Sequence, residues 1–185
     1  AYRVVRAALD GMKALRALED PYFKEMKIGG ASSDSALIGA FGTSSRLSYT
    51  VLGDRVNLAA RLEAAVSQWG TSNLFCEKTK TLTESRPDLL WRRAGQFRVQ
   101  GKTESLNVDA VFEAEASAEI TWVDRFHSAL TDFEHKDFSA AARGFADVQA
   151  LRGGDNLSQR YQRLCNRLAE SGVDDGWKPI FNTHK

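Results

Sequence analysis

Several things are scarce in this sequence, and each scarcity excludes something. Cysteine occurs only at Cys76 and Cys165 among 185 residues. The two are far apart and fit no metal spacing, so a disulfide scaffold or zinc module is excluded and both read as reduced thiols of a cytoplasmic protein. The histidines, His127, His135 and His184, share no ligand spacing and read as structural or exposed. No apolar run approaches the roughly 20 residues of a membrane span, and no stretch reads as a secretory leader. Charge of one sign is also missing: 25 Lys and Arg face 24 Asp and Glu, a formal +1. Nothing global therefore pulls the chain toward nucleic acid or a membrane surface. An initiator methionine is lacking too, and the chain opens inside an amphipathic pattern, so residue 1 reads as something other than a natural start.

What is present divides into two textures. Residues 2–18 place Val4, Val5, Ala8, Leu9, Met12, Leu15 and Leu18 at helical spacing, closed by Asp20-Pro21. Strand-like composition follows at 22–29, then a turn cluster, "GGASSDS" (29–35). "ALIGAFG" (36–42) reads as a short buried strand and "RLSYTVLG" as a strand alternating Leu47, Tyr49, Val51. A helix from about Asp54 to Ser67 comes next, then a strand at "SNLFCE", a short helix at "EKTKTLTES", and two strands joined by a polar turn at Lys102–Glu104. After the connector "EAEASAE" the pattern is helical only, in three stripes centred on Phe126, Phe145 and Tyr161. This predicts a mixed α/β part over 1–115 and a small helical part over 119–185.

The junction at Gly53-Asp54 has chemical content. Gly53 suits a tight turn with close backbone approach, and Asp54 suits an N-cap. Asn57 and Arg61 are four apart and share a helix face, while Leu58, Leu62 and Ala65 fall on another. Small Ala59 and Ala60 permit close packing. An amide and a guanidinium projecting together suit a ribose oxygen and a phosphate. The same spacing also fits a helix-start residue beside a solvated arginine, so spacing alone leaves both readings open.

"YTVLGDRVNLAARLE" (49–63) closely resembles the signature of class III nucleotidyl cyclases, the adenylate/guanylate cyclase catalytic domain. "ALIGAFG" is similar to that family's preceding strand. "FRVQGKTESLNVDAVFEA" is similar to its closing hairpin, and "RAALDGMKAL" to the helix after its second metal loop. The resemblance covers residues 1 to 114, in order. It implies an α+β, ferredoxin-like, mainly antiparallel sheet with helices, incomplete at its N-terminus. It implies conversion of ATP to cyclic AMP and pyrophosphate for signal transduction, with Asn57 positioning the ribose and Arg61 stabilising the α-phosphate. Thr50 would help read the base. Lys102 would meet the triphosphate, and Gln100 stands where the family has a further lysine. The resemblance also implies a homodimer with the site across its interface, two Mg²⁺ or Mn²⁺ ions, and an upstream sensor domain, with a membrane anchor compatible with the parent protein.

The match has gaps. The family's two metal-binding aspartates are expected upstream of residue 1, and Asp10, Asp20 and Asp34 read as surface acids, so the 185 residues alone are expected to be inactive. Ser32-Ser33-Asp34 replaces the family's histidine-threonine-glycine turn. Gln100 lacks a charge. The missing N-terminal segment and Gln100 favour an alternative, a non-catalytic cyclase-like module that dimerises and regulates; the intact Asn57 and Arg61 oppose it. "ALTDFEHKDFSAAARGFADV" (129–148) resembles a tetratricopeptide hairpin, which cannot bury its own faces alone. It is expected to pack on the cyclase-like part or on a second protomer, with the third helix and Trp177, Ile180 and Phe181 as cover.

Overall fold

The computed structural model of the chain describes residues 1–24, 26–98, 104–114 and 117–182. In chain order the elements are α1 (Tyr2–Ala17), α2 (Pro21–Lys24), β1 (Ile28–Gly30), β2 (Leu37–Thr43), β3 (Arg46–Leu52), α3 (Asp54–Trp69), β4 (Asn73–Cys76), α4 (Glu77–Thr81), β5 (Leu89–Arg98), β6 (Ser105–Glu113), α5 (Ser117–Glu134), α6 (Phe138–Arg152), α7 (Asn156–Ser171) and β7 (Ile180–Asn182). The α+β class holds. One sheet has the order β1-β4-β6-β5-β7, and β2 and β3 form a separate pair. Pairing is antiparallel at β4–β6, β5–β6 and β2–β3, and parallel at the two outer positions, β1–β4 and β5–β7.

Alternation along β4 explains how this sheet serves two cores. Leu74 and Cys76 face one side, with Leu58, Leu62, Val66 and Trp69 of α3 and the aromatic residues of α5–α7. Phe75 faces the other, with Val5, Leu9 and Met12 of α1 and with Leu89, Trp91 and Val111. Helices therefore cover both faces. Each fully buried Leu or Phe contributes about 1.5–3 kcal/mol. The periodic stripe of α1 is narrower than its spacing suggests, because Val4 and Leu18 stay 66% and 60% exposed.

Two other expectations need correction. The segment after Pro21 is helical before it is extended: proline suits a first helical turn, and the Asp20 carboxylate accepts from the Tyr22 N–H at 2.8 Å. "ALIGAFG" does form a strand, but not a buried one. The β2–β3 hairpin, in register from Leu37↔Leu52 to Thr43↔Arg46, leaves Leu37, Ile38, Leu47 and Tyr49 at 62%, 62%, 65% and 80% exposure. A two-stranded hairpin has marginal stability of its own.

The helical part is bolted to the sheet. Phe181 of β7 meets Trp69 of α3 at 4.3 Å between ring centroids, and Trp177 lies edge-on to both Phe133 and Phe138 at 5.4 Å. In β5 the register shifts between Arg93 and Gly95, a bulge that lets Arg92, Ala94 and Phe97 all face α5–α7. Buried Arg92 points its Nη1 at both oxygens of Asp155, at 2.9 and 2.8 Å. Asp155 also caps α7, accepting from the Ser158 N–H and hydroxyl at 2.9 and 2.6 Å, and it takes a second cation, Arg152, at 2.8 Å. Burial disfavours the charged Asp155, but Arg92 and the Ser158 donors outweigh it and hold the carboxyl below its ordinary value.

Candidate functional site

Strand β3 ends at Leu52 and α3 starts two residues later. The cap of α3 is Gly53, whose carbonyl accepts from Val56 and Asn57 N–H at 3.1 and 3.2 Å. Asp54 is thus the first helical residue, not the cap, and its charge complements the positive end of the helix. Gly53 has extended backbone, and a Cβ there would come no nearer than 3.9 Å to any neighbour. Close approach is needed elsewhere: a Cβ on Gly29 of β1 would sit 2.2 Å from the Ala59 carbonyl oxygen and 2.2 Å from the Glu63 nitrogen. Backbone-to-backbone contact with β1 therefore sets the height of α3, and the small Ala59 belongs to it.

The buried side of α3 carries Leu58, Leu62, Ala65, Val66 and Trp69. Asn57 and Arg61 lie on its exposed side, one turn apart. Thr50 is exposed on β3, opposite Gly39. The three polar residues thus share one continuous strand–turn–helix segment with an open outer surface. A groove of about 460 Å³ at the head of α3 is lined by Asp34, Leu37, Leu52, Asp54 and Arg55 among others, but not by Thr50, Asn57 or Arg61. Gln100 and Lys102 lie outside the described residues.

The acids considered for a metal have other partners. Asp10 pairs with Arg6 at 2.9 Å and Asp20 serves α2. Asp34 pairs with Lys78, whose hydrogen bond and charge hold its carboxyl below the ordinary range. The Ser32-Ser33-Asp34 turn is further fixed by the Ser32 N–H, which donates to Thr79 Oγ1 at 2.9 Å. Sequence reading missed this clasp, since Thr79 is far along the chain; only its position in a short predicted helix hinted at it. Among the described residues no three His, Cys, Asp or Glu side chains gather to hold a metal. These residues do not fit a divalent-ion site. No helix among them is long and apolar enough to cross a membrane.

Comparison with known proteins finds similarity over part of the chain. It is 29% identical over 119 residues to the terminal-differentiation specific adenylate cyclase of Dictyostelium discoideum, covering 62% of this chain and 6% of that protein. It is 30% identical over 79 residues to adenylate cyclase 1 of Rhizobium meliloti (strain 1021), covering 43% of this chain and 12% of that protein. Among solved structures, the adenylyl cyclase CyaB from P. aeruginosa is 30% identical with a TM-score of 0.37, over 43% of this chain and 39% of that one. A bacterial light-regulated adenylyl cyclase is 24% identical with a TM-score of 0.47, over 65% of this chain and 36% of that one. The chain is related in sequence to adenylate cyclases, and it spans a small fraction of the length of the curated relatives. No protein-family model matches it.

Proposed function

We propose that this chain supplies the ribose- and phosphate-positioning part of an adenylate cyclase, which converts ATP to cyclic AMP and pyrophosphate. One observation carries the reading. The strand–turn–helix segment leaves Asn57 and Arg61 together on the open side of a helix whose other side is firmly seated. Its sequence relatives are named adenylate cyclases.

In this reading Asn57 orients the ribose so that its 3′-oxygen faces the α-phosphorus. Arg61 presents its donor fork to the α-phosphoryl oxygens as charge builds there. The ribose 3′-hydroxyl gives up its proton to water as its oxygen bonds to the α-phosphorus, and the bond from that phosphorus to the pyrophosphate oxygen breaks. Thr50 touches the base, and Lys102 with Gln100 receives the triphosphate. Any Mg²⁺ or Mn²⁺ would have to take its ligands from outside the described residues, since these gather no carboxylate cluster. The open outer surface and the exposed β2–β3 hairpin favour a second copy completing the site, as a homodimer. The helical part, tetratricopeptide-like in sequence, buttresses the sheet, and an upstream sensor would govern the whole in the cytoplasm.

Cyclic AMP formation from ATP by the full-length protein, with Mg²⁺ or Mn²⁺, tests the reading, with GTP as the competing substrate. Turnover that depends on Arg61 supports it. A full-length dimer that binds ATP yet releases no cyclic nucleotide refutes it. The second reading, a regulatory module that dimerises without catalysis, is favoured by the apolar hairpin surface and would then stand.

A further inference from the structure

A different cavity, of about 530 Å³, opens where the helical part meets the sheet. Four cationic side chains line it, Arg16, Lys27, Arg92 and Arg152, against one carboxylate, Asp155. Hydroxyl and amide donors on Thr71, Ser72 and Asn156 complete the wall. Arg92 is 1% exposed and its Nε has no hydrogen-bond partner, because both contacts to Asp155 use Nη1. Arg152 stacks on Trp122 at 4.1 Å and on Phe112 at 5.0 Å, so its planar fork is held in place.

Asp155 neutralises one of the two guanidiniums that touch it. The other charge stays partly buried among aromatic rings, a costly arrangement unless something offsets it. Cation–π contact offsets part. Lys27 and Arg16 add further positive charge at the same wall. Three positive charges in excess, two rigid forks and several neutral donors match a phosphate dianion better than a carboxylate. The volume lies within the usual range for small-molecule sites.

We propose that this junction cavity binds a small phosphomonoester, its phosphate held by Arg152, Lys27 and the free donor of Arg92, with Arg16 at the rim. The site is separate from Asn57 and Arg61, and it stands whether or not the chain is part of a cyclase. Because its walls come from α1, the sheet side and α7, an occupant ties the helical part more tightly to the sheet.

Isothermal titration calorimetry on the 185-residue chain tests this, with inorganic phosphate and glycerol 3-phosphate as probes and acetate and chloride at matched ionic strength as comparisons. Neither probe carries a base, so the result does not depend on the nucleotide reading. One saturable phosphate site per chain is expected, with a thermal midpoint that climbs as phosphate is added. Lys27→Ala and Arg16→Ala should each weaken it about three- to tenfold, and Arg152→Gln at least tenfold. Arg125→Ala, which pairs with Asp147 between α5 and α6 and does not line the cavity, should leave it unchanged. Lys27→Ala and Arg16→Ala touch neither Asp155 nor the aromatic cage, so they decide the matter even if Arg152→Gln misfolds. Absence of saturable binding overturns the proposal. So does acetate binding as tightly as phosphate, or affinity unmoved by Lys27→Ala and Arg16→Ala.

Discussion

Tyr161 of α7 donates its hydroxyl to the backbone carbonyl of Ala94 at 2.7 Å, and it reaches that carbonyl over Gly95, where a Cβ would sit 2.5 Å from the tyrosine oxygen. The helical part and the sheet are thus joined at the bulge of β5. Burial keeps this phenol protonated far above any working pH.

Tyr161→Phe should leave the Ala94 carbonyl without its donor and cost about 1–3 kcal/mol. Gly95→Ala should cost more, since the residue has φ +146° and the added methyl collides with the hydroxyl. The double variant should cost less than the sum, because removing the hydroxyl relieves that collision. Urea denaturation of the three variants measures this. Strict additivity would show that the hydroxyl and the glycine do not share one constraint.

Two glycines near the candidate site should behave oppositely. Gly29→Ala forces a methyl into the backbone of α3 and should cost about 3 kcal/mol or prevent folding. Gly53→Ser meets nothing nearer than 3.9 Å and supplies a better cap, so stability should stay within about 1 kcal/mol of the parent or rise. Thermal melts followed by circular dichroism compare them. A harmless Gly29→Ala would mean that α3 does not rest on β1 as described.

In the full-length protein, Arg61→Ala should lower kcat about 10²–10³-fold while KM for ATP moves only a few-fold. Asn57→Ala should act in the same direction, less than additively with it. Glu63→Ala, exposed on the same helix, is the control. Steady-state cyclic AMP assays decide. If Arg61→Ala behaves like Glu63→Ala, Arg61 is a solvated helix residue and no more.

Acid stability should depend on two groups that pull in opposite directions. Burial, only partly opposed by Lys80, pushes Asp109 up to about 6. Its folded form prefers the proton, so its contribution is full at the lowest pH and is lost as pH rises through about 6. Burial, with Lys80 and Arg93 nearby, pushes His127 down to about 4, and its Nε2 accepts the Arg93 N–H at 2.9 Å. Its contribution is full above the ordinary histidine value and is lost as pH falls toward 4. Between these limits the two slopes largely cancel. Asp109→Asn should therefore leave a net rise of stability from pH 4 to 6, set by His127, and His127→Gln a net fall, set by Asp109. Urea midpoints across that range read the sign; parallel profiles for all three proteins would remove both assignments.

Much of the scaffold was legible because it is periodic. The helices α1 and α3, the strands β4 to β6 and the three helices after residue 116 all stand where apolar spacing puts them. The segment bearing Thr50, Asn57 and Arg61 was legible for the same reason, being a strand run that switches to a helix run. What escaped reading depends on distance along the chain. Nothing local shows that Ile180–Asn182 pairs with β5, since "DDGWKPIFNTHK" has aromatics without a period. The Arg92–Asp155 pair joins residues 63 apart. The bulge at Arg93/Gly95 hides in a strand whose glycine looks like a mere weakness. The exposure of "ALIGAFG" escaped as well, because an apolar run does not say whether anything covers it.

The parallel pairing of β7 with β5 carries a consequence for the order of assembly. Between Arg98 and Ile180 lie β6 and all of α5, α6 and α7. Bringing such distant segments together costs loop-closure entropy before any contact repays it. The helices can nucleate early, through contacts close in sequence. The outer edge of β5 must wait, open, until they are docked and Phe181 can drop between Trp69 and Phe133. The step that completes the sheet is then also the step that locks the helical part onto it, so the two halves reach their final state together.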